Sequence, residues 1–177
     1  MTNTNKPLVL GIDYRELTPE EGKFRWRFIT LRDVEVRTPW RNIPAMSFED
    51  RSGVERMRFE TGGWRIMRGG YAWNGCSPKR YIKGVGWVGT PDTLRNRRGS
   101  LFHDGGYQAS GDTLYPLTRE QEDYLFLLNL REDRFLMSCA WYGAVRDFGA
   151  SSWGNRDDSL VAIPVFKGKT ITKTEPV

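Results

Sequence analysis

The residue best suited to proton transfer in this chain is its single histidine, His103, which lies in the segment GSLFHDGGYQ at residues 99–108. Asp104 follows it directly, and Tyr107 comes one helical turn later. A histidine can take up or release a proton near neutral pH, and a nearby carboxylate can orient its ring or bind a cation. The segment therefore predicts either a chemical centre or a buried polar cluster.

A partner for His103 is predicted on the next helix. At 100° per residue, Asp123 lies near the middle of an arc that also holds Phe126, Leu127 and Leu130. A carboxylate on a packing face is costly unless a neighbouring element supplies a hydrogen bond or an opposite charge. The candidate donors are His103, Tyr107, Tyr142 and Arg146.

Two interpretations of this cluster are open. A histidine held by a buried aspartate is the arrangement that general-base catalysis uses, because the carboxylate fixes the tautomer and stabilises the imidazolium. Asp104 points about 100° away from His103 around the helix, where it could face a different cavity and bind a cation. Alternatively, His103, Tyr107, Asp123 and Arg146 form a structural polar cluster that pins three helices together.

The helix that carries His103 is expected to start near Thr90 or Thr93, with Pro91 suited to an early helical position. The Gly105–Gly106 pair weakens this helix directly after His103, since each glycine costs roughly 1 kcal/mol relative to alanine in a helix interior. The two glycines could allow close approach of a ligand, or they could end the helix early.

Two further helices are predicted after it. The second opens with a capping box at residues 118–121, in which Thr118 and Gln121 satisfy each other's backbone amides, and ends near Leu130. The third runs from about residue 132 to residue 148 and stops at Gly149. Its expected apolar stripe consists of Phe135, Cys139, Tyr142 and Val145.

The first half of the chain has the alternating pattern of short β-strands. The segments KFRWRFITL, RDVEVRTP and VERMRFETGGWRIM each predict strands, the last with a turn at Gly62–Gly63. A final strand is expected around residues 161–166. The alternating apolar positions of the first three segments are Phe24, Trp26, Phe28, Val34, Val36, Met57, Phe59, Trp64 and Ile66.

These patterns together predict an α+β fold, with an antiparallel β-rich N-terminal half packed on a C-terminal three-helix segment. A chain of 177 residues is long enough to bury a sizeable core. We expect a single domain over residues 1–177, made of a β-rich half at 8–88, a helical half at 89–150 and a C-terminal extension at 151–177.

The composition, with 28% charged residues and a mean hydropathy of −0.59, is typical of a globular protein rather than an integral membrane protein. The first residues lack the features of a signal peptide, so we expect synthesis and folding in a cytosol. Cys76 and Cys139 are too few for a disulfide framework and are expected to be free, buried thiols. A single histidine excludes a multi-histidine metal site.

The net charge of +5 permits attraction to nucleic acid, an anionic lipid surface or an acidic partner. The densest basic cluster is Arg95, Arg97 and Arg98, which we interpret as a solvated helix face. The other basic residues are scattered and accompany no nucleic-acid motif, so specific nucleic-acid binding is not expected.

Over roughly residues 8–153 the layout resembles an uncharacterised family of small proteins encoded mostly by tailed bacteriophages and prophages. That family has a β-rich start, a Gly/Ser/Pro segment, an His-Asp-x-x-Tyr helix, an Arg-x-x-x-Asp helix and a Tyr-x-x-Val-Arg-x-x-Gly motif. The sequence departs from it at Asn74, where the family usually has an aspartate. The matching segments are Asn74–Pro78, His103–Tyr107, Arg119 with Asp123, and Tyr142–Gly149.

A narrower resemblance, over about residues 84–130, is to the core of phospholipase A2 enzymes, including the domain that some viral capsids carry. It implies that His103 activates a water, with Asp123 and Tyr107 supporting it. It also implies that Asp104 binds calcium, with carbonyl oxygens of the glycine-rich loop GVGWVG, at Gly84 and Gly86, completing the metal site. Calcium would then polarise an ester carbonyl.

Two functions follow as expectations. The first is a bacteriophage structural or accessory protein, such as a virion or tail component, that binds other phage proteins through its β half and aromatic surface and is present in the virion. The alternative is a calcium-dependent, phospholipase-like ester hydrolase that uses a His103–Asp123 dyad. In the first case Arg119, Tyr142 and Arg146 belong to a structural polar cluster, and no cofactor is required.

Overall fold

The computed structural model describes residues 12–23, 25–76, 79–154 and 161–164, and it confirms the α+β prediction. Three helices follow nine strands, and a tenth strand lies near the C-terminal end of the described residues. The strands are β1 Tyr14–Glu16, β2 Phe28–Thr30, β3 Val34–Arg37, β4 Met46–Glu49, β5 Glu55–Glu60, β6 Trp64–Met67, β7 Ala72–Trp73, β8 Lys79–Ile82, β9 Gly86–Gly89 and β10 Val161–Pro164. The helices are α1 Arg97–Ala109, α2 Arg119–Glu132 and α3 Ser138–Phe148, and a short 3-10 helix, Gly149–Ser152, continues α3.

The strands form antiparallel sheets with the orders β1-β2-β7, β10-β4-β5-β6-β3 and β8-β9. Helix α1 lies between the sheets and α2. Its Leu101 and Phe102 belong to the core with Phe48, Met57 and Phe59 of the five-stranded sheet, and all five are fully buried. The central position of α1 explains why its side chains meet both the sheet and the other helices.

The alternation in β6 differs from the predicted one at Trp64 and Arg65, whereas Ile66 is buried. Phe59 of β5 pairs with Arg65 of β6, so Arg65 shares the buried face of the sheet with Phe59. Trp64 lies on the solvent side and is 38% exposed. Arg65 can occupy a core position because an acidic side chain is buried beside it.

That partner is Glu122 of α2, and neither side chain of the pair has any exposed surface. Arg65 Nη1 donates to both carboxylate oxygens of Glu122 at 2.9 Å, and its Nη2 donates to the carbonyl oxygen of Phe102 at 2.7 Å. The Tyr115 hydroxyl also donates to Glu122. Burial alone would lower the pKa of Arg65, but the Glu122 carboxylate more than offsets this effect. A buried ion pair with its remaining hydrogen bonds satisfied is the form that a protein interior tolerates.

The Gly105–Gly106 pair gives this ion pair its space. A Cβ on Gly106 would lie 2.4 Å from the carboxylate of Glu122, and a Cβ on Gly105 would lie 2.6 Å from Met67 Cε. The helix does not end here, because α1 continues to Ala109. The glycines therefore serve close packing of α1 against the sheet and α2, and neither of the two reasons considered from the sequence applies.

Helix α1 begins at Arg97, later than the predicted start. The preceding residues form a loop in which the Asn96 side chain accepts a hydrogen bond from the Thr93 amide at 2.8 Å and donates to the Pro91 carbonyl at 3.0 Å. The Asp92 side chain binds Arg27 and the Cys76 amide, which lie outside the helix, so this loop is not a helical extension of α1.

The capping box of α2 is confirmed, with Thr118 and Gln121 bonded reciprocally, and the helix ends at Glu132. Helix α3 begins only at Ser138 instead of near residue 132. Arg134 adopts a left-handed conformation with φ 55°, and the Phe135 amide bonds to the Leu130 carbonyl, which breaks the two helices apart.

The expected stripe on α3 is wrong as a buried face, because Ser138 is the one buried residue of this helix. Cys139 is exposed, contrary to expectation, whereas Cys76 is buried, and both thiols are free as predicted. Within the predicted first strand only Phe28–Thr30 is β, and Phe24 lies outside the described residues. The predicted last strand is present as β10, which pairs with β4, and Phe166 also lies outside them.

Two members of the basic cluster, Arg97 and Arg98, are partly buried against the protein, whereas Arg95 is exposed, as the interpretation of a solvated face requires. Arg97 lies over the rings of Tyr14 and Phe28, at 4.6 and 5.1 Å from their centroids. Arg98 forms an ion pair with Asp133 at 2.9 Å. In the described part of the chain, no helix has the length and apolar character needed to cross a membrane.

We predict opposite effects for two glycine-to-alanine substitutions in helices. Gly106→Ala should lower the free energy of unfolding by about 1–3 kcal/mol, because its methyl group collides with the buried Glu122 carboxylate. Gly143→Ala on α3 has nothing within 4 Å of the added Cβ and should be neutral or stabilising by up to about 1 kcal/mol. Urea unfolding followed by circular dichroism measures both, and a stable Gly106→Ala variant would contradict the packing described.

Candidate functional site

Asp123 of α2 is the centre of a polar cluster formed by all three helices, and its side chain has no exposed surface. Its Oδ1 accepts hydrogen bonds from the Tyr107 hydroxyl at 2.7 Å and from His103 Nε2 at 3.0 Å. Its Oδ2 accepts from Arg146 Nη1 at 2.9 Å and lies 3.6 Å from Arg119 Nε. Burial raises the pKa of Asp123. The hydrogen bonds from His103, Tyr107 and Arg146 together lower it by more than burial raises it, so the net shift of the pKa is downward.

His103 is held by ring contacts as well as by this hydrogen bond. Its imidazole stacks on Tyr107 at 4.2 Å and on Phe126 at 4.8 Å between ring centroids. Because Asp123 is ionised, Nε2 carries the proton of the hydrogen bond, and in the neutral ring Nδ1 then has a lone pair. The side chain is 11% exposed, so it is partly buried yet not sealed.

Tyr107 is a fixed donor. Burial and the hydrogen bond to Asp123 both raise its pKa well above the usual range, so the hydroxyl keeps its proton. Trp153 packs edge-on against the ring at 5.1 Å. A Cβ on Gly149 would lie 2.5 Å from the Tyr107 hydroxyl oxygen. Helix α3 ends at Phe148 as predicted, with Gly149 as its C-cap at an ordinary negative φ of −75° and a 3-10 helix after it. Gly149 also makes room for Tyr107.

The two arginines join α3 to α2. Arg146 reaches back from α3 to Asp123, and Arg119 donates to the carbonyl oxygens of Val145, at 3.2 Å, and Arg146. Arg119 thus binds two carbonyl oxygens in the last turn of α3, of which that of Val145 also accepts the backbone amide of Gly149. Tyr142, the fourth candidate donor, makes no hydrogen bond to Asp123 in the described structure.

His103 borders a groove of about 790 Å³ between α1 and α3. Asp104 lines the same groove, which corrects the expectation that it faces a different cavity. The α3 wall is mostly apolar, and residues of α1 and of loops line the rest of the groove. The side chains of α1 that line the groove are His103, Asp104, Tyr107 and Gln108; those of α3 are Ala140, Trp141, Ala144, Val145 and Phe148; and those of the loops are Arg25, Trp26, Asn74, Thr90 and Pro91.

One carboxylate that the sequence reasoning missed organises the loop wall. Asp92, whose side chain is 2% exposed, accepts hydrogen bonds from the Cys76 amide at 2.9 Å and from Arg27 Nη1 at 2.7 Å. Gly75 passes so close that a Cβ there would lie 2.3 Å from Asp92 Oδ1. The three segments that meet at Asp92 are the ones that carry Arg25 and Trp26, Asn74, and Thr90 and Pro91. No short-range pattern in the sequence marks this long-range contact.

The calcium ligands implied by the phospholipase resemblance do not come together at the groove. Gly84 lies in the turn between β8 and β9 and Gly86 begins β9, both at positive φ, and neither lines the groove. Asp104 is the one acidic side chain among the described residues that line it. No group of three acidic, histidine or cysteine side chains in the described ranges is placed to hold a metal ion. We therefore derive no chemical step through calcium.

The segment Asn74–Pro78, one of those that carry the resemblance to the phage family, is described only in part, because Ser77 and Pro78 lie outside the described residues. Asn74, the position at which the sequence departs from that resemblance, lines the groove together with His103 and Asp104.

Comparison with known proteins finds no matching family model, no matching curated protein and no matching solved structure.

We predict a pH-dependent contribution of Asp123 to stability. Its pKa is lower in the folded than in the unfolded chain, so its contribution is complete above about pH 4, the usual pKa of a free aspartate, and is lost as the pH falls through the folded value. At pH 7, Asp123→Asn should lower the free energy of unfolding by about 3 kcal/mol, because Arg146 and Arg119 lose a buried counter-charge.

The measurement is urea unfolding of both proteins between pH 7 and pH 3. The difference between wild type and Asp123→Asn should shrink in the acid range, where Asp123 itself becomes protonated. A difference that stays constant down to pH 3 would show that the charge of Asp123 is not what stabilises the cluster.

Proposed function

We propose that the protein is an ester hydrolase in which His103 is the general base. The single observation that carries this proposal is that His103 is bonded to the buried Asp123 through Nε2 while its ring borders a groove large enough for a substrate. A purely structural histidine has no need of such access. A substrate bound in the groove would lie next to the ring of His103, and reach to the group whose proton it takes is the first geometric requirement for a general base.

The mechanism begins with a water in the groove beside His103. Nδ1 takes a proton from this water as the water oxygen attacks the ester carbonyl carbon, and the imidazolium that forms is stabilised by Asp123. The tetrahedral intermediate then collapses, and His103 returns the proton to the departing alkoxide. Tyr107 and Arg146 keep Asp123 ionised and oriented throughout, since both donate to its oxygens.

The walls of the groove favour an amphiphilic ester, such as a phospholipid, as the substrate. The α3 side offers Trp141, Val145 and Phe148 to an acyl chain. On the opposite side the guanidinium of Arg25 lies 5.0 Å from the ring centroid of Trp26, and a cation at the rim of the groove suits an anionic headgroup. An apolar wall with few polar groups is typical of small-molecule sites.

We predict that His103→Asn lowers kcat/KM for hydrolysis of mixed phosphatidylcholine and phosphatidylglycerol vesicles by about a hundredfold to ten-thousandfold, the usual contribution of a general base. Fatty acid release is measured in calcium and in EGTA, which also decides whether a metal takes part. Thermal unfolding of His103→Asn checks that the fold is retained.

Leu114→Ala is the matched control, because Leu114 is 50% exposed and does not line the groove. It should hydrolyse the vesicles at the wild-type rate. Equal rates for the wild type and His103→Asn, or no ester hydrolysis by the wild type in either condition, would overturn the proposal.

A second candidate function is a bacteriophage virion or tail component that binds other phage proteins. The observation that favours it is on the β half, where Trp64 is 38% exposed and stacks with Arg37 at 5.5 Å. Arg37 belongs to β3, which is an edge strand of the five-stranded sheet. An exposed tryptophan with an arginine at a sheet edge is a typical anchor for a protein partner.

For this candidate we predict that the chain copurifies with intact particles on a density gradient and that Trp64→Ala reduces its incorporation, whereas His103→Asn does not. Immunoblotting of gradient fractions measures both variants against the wild type. Recovery of the chain only in the soluble fraction of infected cells would contradict a virion role.

A further inference from the structure

Helix α3 carries an apolar ladder that no described residue covers. Leu136, just before the helix, is 98% exposed, Phe148 at its end is 79% exposed, and Ala140 and Ala144 between them are also exposed. Ala140, Ala144 and Phe148 follow one another at intervals of four, so they lie along one side of the helix, and Leu136 continues the same spacing from just before it. Contiguous exposed apolar surface of this kind marks an interaction site in a folded protein.

The ladder is symmetric about its own middle. A large residue stands at each end and a small residue at each inner position, in the order Leu136, Ala140, Ala144 and Phe148. When two such helices run antiparallel, Leu136 of one copy lies opposite Phe148 of the other, and Ala140 lies opposite Ala144. The alanines let the helix axes approach closely, while the large residues fill the ends.

We infer that α3 packs against α3 of a second copy of this chain, antiparallel about a twofold axis between Ala140 and Ala144. A twofold interface is made of the same surface on both copies, and the ladder meets this self-complementarity. The opposite charges near the two ends of the helix also suit antiparallel packing. Arg134 precedes the helix and Asp147 ends it, both are exposed, and neither forms an ion pair within the described ranges. Antiparallel packing brings the Arg134 end of one copy beside the Asp147 end of the other.

The second copy would also cover part of the groove. Ala140, Ala144 and Phe148 line the groove and belong to the ladder, so an α3 helix packed on them would lie over the apolar wall, and entry of a substrate would require the dissociated chain. The dimer itself does not depend on the hydrolase proposal, since it follows from the surface of α3 alone.

The test is the mass of the full chain in solution, measured by sedimentation equilibrium between about 1 and 200 µM, the range in which weak to moderate dimers dissociate. We expect a reversible dimer of twice the 20.5 kDa chain mass. Ala144→Arg buries a charge at the seam and should raise the dissociation constant by about a hundredfold or more. Leu114→Arg, which places the same charge at an exposed apolar site off the ladder, should leave it unchanged.

A charge exchange tests the antiparallel arrangement. Arg134→Asp and Asp147→Arg should each weaken the dimer, and the double variant should recover wild-type association. A wild-type chain that stays monomeric over the whole range, or one that stays monomeric but binds anionic vesicles through α3, overturns the inference. A dimer that Ala144→Arg leaves intact also overturns the inference.

Discussion

The buried ion pair between Arg65 and Glu122 determines how closely the helical half lies on the sheet. Both side chains are fully buried, so their charges are tolerable only if each stays within hydrogen-bond distance of the other and of fixed partners. The ion pair lies directly against α1, at the positions where side chains of residues 105 and 106 would otherwise be. Helix α1 fits beside the pair because both residues are glycines. The helix that carries His103 is therefore positioned by charges on its opposite side, away from the groove.

Asp123, the next residue on α2, positions the helices at the candidate site. Glu122 and Asp123 are adjacent, so their side chains point about 100° apart, one to the sheet and one to α1 and α3. Asp123 divides its two oxygens: Oδ1 orients His103 and Tyr107, and Oδ2 holds Arg146 and hence α3. One carboxylate thus binds side chains from both helices that border the groove, α1 and α3. Any chemistry of His103 is thus built on the same atoms that hold the helices together.

How much of this could be predicted from the sequence depends on the range of each contact. The capping box of α2 and the buried position of Asp123 follow from spacing within one helix, and both are as predicted. Arg65 was beyond prediction from alternation, since an arginine among apolar residues indicates the solvent face until its acidic partner is known. Asp92 was missed for the same reason, because its partners Arg27 and Cys76 are far away in the sequence. The predicted start of α1 was wrong for the same reason, since Asp92 binds these distant partners. The predicted start of α3 was wrong because Arg134 adopts a left-handed conformation that separates α2 from α3.

The spacing of His-Asp-Gly-Gly-Tyr now has a physical explanation. His103 and Tyr107 are four residues apart and share the side of α1 that faces Asp123, whereas Gly105 and Gly106 fall on the side that faces Arg65, Met67 and Glu122. The motif therefore combines two requirements in one helical turn: polar donors toward one buried carboxylate, and the absence of side chains toward the other. A structural polar cluster requires only the donors. Access of His103 to a groove is an additional property, and it is the property that makes a catalytic role worth testing.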